Sequence, residues 1–144
     1  LRTYDMNNVK TFFANNSVIR NMIRYYPARN DYVNVGNNVV YINVWGWDPE
    51  WKVSVKENGV ELNPTRVYMK DPLHTYAYDA TRVYKNSNNT YTEVLTSSNN
   101  YHLFAVNASS AASTLVIEVT DRFGNKYTET MSRPKEFAAQ IENL

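Results

Sequence analysis

The feature that most constrains the fold of this chain is an alternation of apolar and polar residues that starts near residue 38. In "VVYINVW" (39–45), Val40, Ile42 and Val44 fall on one side of an extended chain. In "WKVSVK" (51–56), large apolar residues again occupy every second position. A period of two is typical of β-strands with one face in a core, so this part of the chain is predicted to be a sheet protein.

Turn signals divide the rest of the chain into further short strands. Asn58-Gly59 supplies the two positive-φ residues that a tight hairpin turn requires. Further strands are predicted at 65–69, 74–80 and 101–108, and a second hairpin over 113–131 turns between Asp121 and Asn125. About seven short strands with no repeating helix predict an all-β fold, an antiparallel β-sandwich.

The first 36 residues have a different pattern and are predicted to be a partly helical lead-in. The segment 17–26 has apolar residues at helical spacing, with Ser17 in the N-cap position and Pro27 as its stop. The segment 6–13 is a weaker helix candidate, and both are expected to pack against the end of the sheet. The chain is therefore predicted to be one domain: lead-in 1–36, sandwich 37–134 and tail 135–144, with a possible helical turn in the tail.

Composition excludes several classes of function. The 144 residues include 15 Lys and Arg against 14 Asp and Glu, and neither sign clusters, so no nucleic-acid partner is expected. The chain contains no cysteine, which excludes disulfides, thiol catalysis and thiolate metal sites. No stretch approaches the ~18 apolar residues of a membrane-spanning helix, so no membrane partner is expected either.

Groups that could carry catalysis are few. The chain has two histidines: His102, in a predicted strand, is expected to be half-buried and structural, and His74 follows Asp71 and Pro72 at a turn. Asp71 could orient the His74 imidazole, but no nucleophile or second base accompanies the pair. No metal-binding pair of the D-x-D, D-x-H or H-x-H type occurs, so this chain alone is not expected to be an enzyme or to bind a metal or cofactor.

All three tryptophans lie in one short window. Trp51 begins a predicted strand and is expected to be core, whereas Trp45 and Trp47 are two apart and would share the more polar face of a continuous strand. Large apolar groups on such a face need a partner. Asp71 and His74 are further candidates for the border of the same patch.

Three interpretations of Trp45 and Trp47 remain open. They could cover the end of the sandwich under the N-terminal helices, pack against another domain, or form a sugar-stacking platform. A sugar platform would use flanking polar groups, for which Asp48, Glu50 and Asn43 are available.

Several segments carry a resemblance to a known family. They are "YDMNNVKTFF" (4–13), "NVWGWDPEWKVSVKENG" (43–59), "TRVYMKDPLH" (65–74) and "HLFAVNASSAASTLVIEVTDRFGNKYTETMSRPK" (102–135). Together they resemble the C-terminal domain of Bacteroides-type calcineurin-like phosphoesterases. Residues 15–35 match no part of that family and look like a local insertion.

The resemblance implies that the chain is a β-rich accessory domain that follows a two-metal phosphoesterase domain in a periplasmic or secreted parent protein. The metal-binding motifs of that catalytic domain (D-x-H, G-D, G-N-H and G-H-x-H) are absent here, so no catalytic or metal residue carries over. Since the chain begins with Leu1, it is expected to be a processed form or a piece of a longer polypeptide.

The leading hypothesis for function is a non-catalytic domain that packs on the phosphoesterase domain of the same polypeptide and shapes substrate access. The alternative is a carbohydrate-binding module that uses Trp45 and Trp47. A structural spacer of a cell-surface protein is a third possibility. Candidate interface or ligand-facing residues are Trp45, Trp47, Asp48, Asp71 and His74.

Overall fold

The computed structural model of the chain describes residues 1–84 and 98–138. This part contains eight strands in two antiparallel sheets of four, which confirms the predicted sandwich. The strands are β1 (Arg2–Asp5), β2 (Val39–Asn43), β3 (Lys52–Glu57), β4 (Val60–Glu61), β5 (Thr65–Met69), β6 (Asn100–Asn107), β7 (Leu115–Thr120) and β8 (Lys126–Met131). The first sheet has the order β1-β2-β6-β5, and the second has the order β4-β3-β7-β8.

The first sheet is covered on both faces, because every residue of β2 is buried. Val40 and Ile42 face the second sheet and join a core with Ile117 of β7. Val39 and Tyr41 face the opposite way and join a second core with the helices. The helices therefore pack on a face of the sheet, not on its end as predicted, and the molecule has three layers.

Two helices follow β1: α1 (Met6–Asn15) and α2 (Ser17–Tyr25). In α1, the buried residues are Met6, Val9 and Phe13, which are the apolar positions that predicted this helix. The N-cap of α2 is Asn16 and not Ser17, since the Asn16 side chain accepts hydrogen bonds from the backbone N–H groups of residues 18 and 19. α2 ends before Pro27, as predicted, and a 3₁₀ turn begins at Pro27.

The strand predicted over 74–80 is wrong. A short helical turn, α3 (Pro72–His74), leads into a π-helix (Thr75–Tyr84) that packs against α2. Asp71 caps this turn, and its carboxylate accepts a hydrogen bond from the backbone N–H of His74 at 2.9 Å. The helix buries Thr75, Asp79 and Ala80, so its packing follows a helical spacing and not the alternation of a strand.

Both predicted hairpins form. Asn58 and Gly59 have φ angles of 50° and 78° between β3 and β4, as the two-residue turn requires. β7 and β8 pair in full register, from Leu115 opposite Met131 to Thr120 opposite Lys126.

The segment after β8 returns to the helices. Phe137 is buried and lies 5.0 Å from Phe12, ring centroid to ring centroid. The rest of the helical turn predicted in the tail, including Ile141, lies outside the described residues. None of the helices in the described part of the chain has the length and apolar content needed to cross a lipid bilayer.

Candidate functional site

One end of the sandwich, which we name the entry end, gathers the residues of interest. β1 begins there, and the loop 44–51 crosses there from the first sheet to the second. Arg2 pairs with Asn43 at this end of the first sheet. The turn after β7 lies beside the loop, because Arg122 donates to the Asp48 carboxylate at 2.6 Å.

Exposed aromatic side chains concentrate at the entry end. The exposed fractions are 52% for Trp45, 52% for Tyr68, 62% for Tyr101, 83% for Phe123 and 48% for Tyr127. Tyr68 and Tyr101 stack with ring centroids 4.4 Å apart, and Arg66 lies over the Tyr101 ring at 5.9 Å. Exposed aromatic and arginine side chains in this density are typical of a surface that binds a ligand or another protein.

Trp45 and Trp47 do not share a face, which corrects the prediction. β2 ends at Asn43, and the chain then turns through Gly46, whose φ is 75°. Trp45 is exposed and has the Arg2 guanidinium 5.3 Å above its ring. Trp47 packs on Phe104 on the side of the second sheet, with ring centroids 5.3 Å apart. A platform made of both indole rings is therefore not formed.

The remaining residues of the loop have structural contacts. Trp51 is partly buried against the core between the sheets and stacks on Tyr127 at 6.5 Å, in agreement with its predicted core role. The Asp48 carboxylate accepts hydrogen bonds from the Glu50 backbone N–H and from Arg122. Asp48 thus fixes the turn between the sheets.

A groove of about 540 Å³ opens at the entry end beside Trp45. It brings together three of the predicted site residues, Trp45, Asp71 and His74, and leaves out Trp47 and Asp48. The described residues that line it are Arg2, Asn43, Trp45, Asp71, Leu73, His74, Ala77, Ser98, Asn99, Asn100 and His102. Its volume lies in the range of small-ligand sites.

A chain of hydrogen bonds fixes the polar wall of the groove. The Tyr4 hydroxyl donates to the two oxygens of Asp71 at 2.8 and 2.7 Å. Asn43 Nδ2 donates to the same carboxylate at 2.6 Å. Because the carboxylate can only accept, the Asn43 amide must turn its oxygen toward His102, whose Nδ1 lies 2.7 Å away. Nδ1 of His102 therefore carries a proton, and its neutral form leaves Nε2 as an acceptor.

Tyr4 anchors this chain from the core. Burial raises the pKa of its hydroxyl well above the ordinary value, and the neighbouring Asp71 carboxylate raises it further. The hydroxyl therefore stays protonated and remains a donor to Asp71 over the physiological pH range. This contact sets the position of Asp71 in the groove.

Two residues that line the groove, His102 and Arg2, were not predicted from the sequence to do so. His102 is half-buried and hydrogen-bonded, as predicted for a structural residue, but it also lines the groove. Arg2 was not a candidate, since no local motif marks it. Its place over Trp45 follows from the pairing of β1 with β2, which are far apart in the sequence.

Among the residues that the structure describes, no three His, Asp or Glu side chains come close enough to hold a metal ion. His74 is exposed and stacks on Tyr78, with ring centroids 5.3 Å apart. The described lining of the groove offers polar and aromatic side chains for contact with a ligand or a protein surface.

Comparison with protein families matches residues 4–127 to the model described as the C terminal of calcineurin-like phosphoesterase. The chain belongs to this family. The match covers most of the 144 residues and includes strands β2 to β7 and the loop 44–51. No curated protein and no solved structure matched the chain. The family is that of a C-terminal domain of calcineurin-like phosphoesterases, which is consistent with a hydrolase as the parent protein.

Proposed function

We propose that this chain is a non-catalytic accessory domain that packs through its entry end against the catalytic domain of a metal-dependent phosphoesterase and shapes substrate access. The observation that carries the proposal is the concentration of exposed aromatic residues at the end where β1 begins. In a C-terminal domain the catalytic domain comes before β1 in the chain. The polypeptide therefore joins the two domains beside Trp45 and Arg2.

The chemistry of the entry end suits a protein interface. Tyr68, Tyr101 and Arg66 belong to the residue types that contribute most to binding energy at interfaces.

The groove beside Trp45 supports the proposed role in substrate access. It opens at the same end, so a docked catalytic domain would leave it facing the junction between the domains. The two divalent metal ions that the resemblance implies would then belong to the catalytic domain. An exported, periplasmic or secreted parent is part of the proposal and is supported by the resemblance alone.

The proposal is tested by measuring association of this chain with the separately produced catalytic domain of its parent. Trp45→Ala and Tyr101→Ala should each raise the dissociation constant by about tenfold or more, because they remove exposed aromatic contacts. Tyr25→Ala is the matched control, since Tyr25 is 56% exposed but lies on α2. Equal effects of the three substitutions, or no association at all, would contradict the proposal.

A further inference from the structure

Trp45 forms an aromatic wall of the groove that remains open to a ligand. Its ring is held by Arg2 at 5.3 Å, yet about half of the residue stays exposed, at 52%. An indole ring offers a broad apolar face, against which the C–H groups of a saturated ring can pack. Trp45 follows the end of β2 and lines the groove.

The polar side chains that line the groove include both donors and acceptors of hydrogen bonds. Asp71 is an acceptor whose position is set by Tyr4 and by the backbone N–H of His74. Neutral His102 offers Nε2 as an acceptor, because its Nδ1 donates to Asn43. Arg2 supplies guanidinium donors. A hydroxyl group both donates and accepts, so a ligand with several hydroxyls matches this wall.

The charge of the groove decides between ligand classes. Among its described lining residues, Arg2 and Asp71 are the charged side chains at neutral pH, and their charges cancel. An anionic ligand would be attracted by Arg2 and repelled by Asp71, and a cationic ligand the reverse, so the described lining gives neither sign a net electrostatic advantage. A neutral ligand loses nothing by carrying no charge.

We propose that the groove binds a neutral pyranose, with the sugar ring stacked on Trp45 and its hydroxyls bound by Asp71, His102 and Arg2. The volume of about 540 Å³ accommodates such a ligand. This site uses a single tryptophan together with residues of β1, β2, β6 and α3. It differs from a platform of Trp45 and Trp47, which the structure does not form.

A second step rests on the proposed function. If the catalytic domain docks at the entry end, a sugar in the groove would be the part of a phosphoester substrate that is remote from the reacting phosphorus. Binding energy from such a remote part can position the ester for hydrolysis. The substrate class would then be phosphorylated carbohydrates.

The sugar site is tested on this chain alone, by NMR titration of the indole N–H signals. The probes are the neutral methyl glucopyranoside, methyl mannopyranoside and methyl galactopyranoside, with anionic glucuronate and cationic glucosamine for comparison. At least one neutral glycoside should shift the Trp45 signal with a millimolar dissociation constant. Trp45→Ala should weaken that binding by about tenfold, as read from backbone signals of the groove.

Two further variants complete the test, one outside the groove and one in its hydrogen-bond chain. Tyr127→Ala removes an aromatic ring of the entry end that does not line the groove and should leave binding unchanged. His102→Gln should weaken binding, and the preserved signals of the cores show that the variant is folded. No binding of any neutral glycoside, preferential binding of glucuronate or glucosamine, or binding that survives Trp45→Ala would overturn the proposal. Because the catalytic domain is absent from this test, its failure is separate from a failure of domain docking.

Discussion

Glu57 shows how a single carboxylate holds a loop on this fold. It is nearly buried at the end of β3, and it accepts hydrogen bonds at 3.0 Å from both the backbone N–H and the hydroxyl of Ser109. Hydrogen bonding from the Ser113 side chain and the Ser109 backbone holds the pKa of Glu57 below its ordinary value of 4.5. Through these hydrogen bonds, Glu57 holds the loop between β6 and β7 against the second sheet.

This pKa shift predicts an acid-dependent loss of stability. Because the pKa of Glu57 is lower in the folded state, its contribution is present above 4.5 and is lost as pH falls through the folded-state pKa. In the Glu57→Gln variant, the unfolding free energy should therefore fall less steeply below pH 4.5 than in the unchanged chain. Urea titration at a series of pH values measures this dependence. Glu136→Gln, at an exposed position, is the control. Identical pH profiles for Glu57→Gln and the unchanged chain would contradict the assignment.

The groove could be predicted from the sequence only in part. Trp45, Asp71 and His74 were expected to border one patch, and all three line the groove. Arg2 and His102 line the groove because β2 pairs with β1 and with β6, and these three strands are far apart in the sequence. The turn at Gly46, which separates the two indole rings, also has no strong local signal.

At the scale of single elements, the start of α2 offers a direct test. Asn16→Ala should lower the unfolding free energy by about 1 kcal/mol, because it removes the side-chain cap of two backbone N–H groups. Ser17→Ala, at the position that the sequence pattern favours, should have an effect near zero. Thermal or urea unfolding measures both. A larger loss for Ser17→Ala would place the helix start one residue later.

The hairpin between β3 and β4 depends on its glycine. Gly59 has a φ of 78°, so Gly59→Val should cost on the order of 1 kcal/mol or more through backbone strain, although its side chain would meet open space. Gly36→Ala is the control, since its added Cβ would make only ordinary contact with Val39 at 3.7 Å. An unchanged melting temperature for Gly59→Val would show that the turn is not formed as described.

The element that sequence reasoning missed most clearly is the π-helix. The segment 74–80 has tyrosines at positions 76 and 78 and a threonine at 75, residue types that favour a strand by local propensity. Asp71-Pro72 was interpreted as a turn, although an N-cap aspartate followed by proline is also a helix-start signal. Packing against α2 then decides the outcome, because tertiary contacts override weak local preference.

At the scale of the whole molecule, a buried ion pair joins the two ends of the fold. Arg133 lies 3.3 Å from the Asp5 carboxylate, and both side chains are fully buried. Asp5 also caps α1, and Arg133 donates to the backbone oxygen of Ser110 at 2.7 Å. This contact ties the segment after β8 to the junction of β1 and α1.

Removal of one partner should therefore be costly. Arg133→Met should lower the unfolding free energy by about 3–5 kcal/mol, because it leaves the Asp5 carboxylate buried without its cation. Arg122→Met breaks the exposed pair with Asp48 and should cost much less, because exposed ion pairs contribute little to stability. Urea unfolding compares the two. Equal costs would mean that the buried pair does not hold the ends together.

The sandwich itself was predictable, because alternation and turn chemistry act locally and agree with the final pairing of β3 with β4 and β7 with β8. The position of the helical layer was not predictable, because the same apolar pattern lets a helix cover either an end or a face of a sheet. That layer buries the helix side of the first sheet. The entry end is left as the surface on which exposed aromatic residues gather.

Hydroxyl-radical footprinting can show whether the entry end contacts a catalytic domain. Oxidation of Trp45 is measured in this chain alone and in the polypeptide that also contains the catalytic domain, with exposed Tyr25 on α2 as the internal reference. If the entry end is the docking surface, Trp45 should be strongly protected in the longer polypeptide, and Tyr25 should be oxidised equally in both. Equal oxidation of Trp45 in the two proteins would contradict docking at this end.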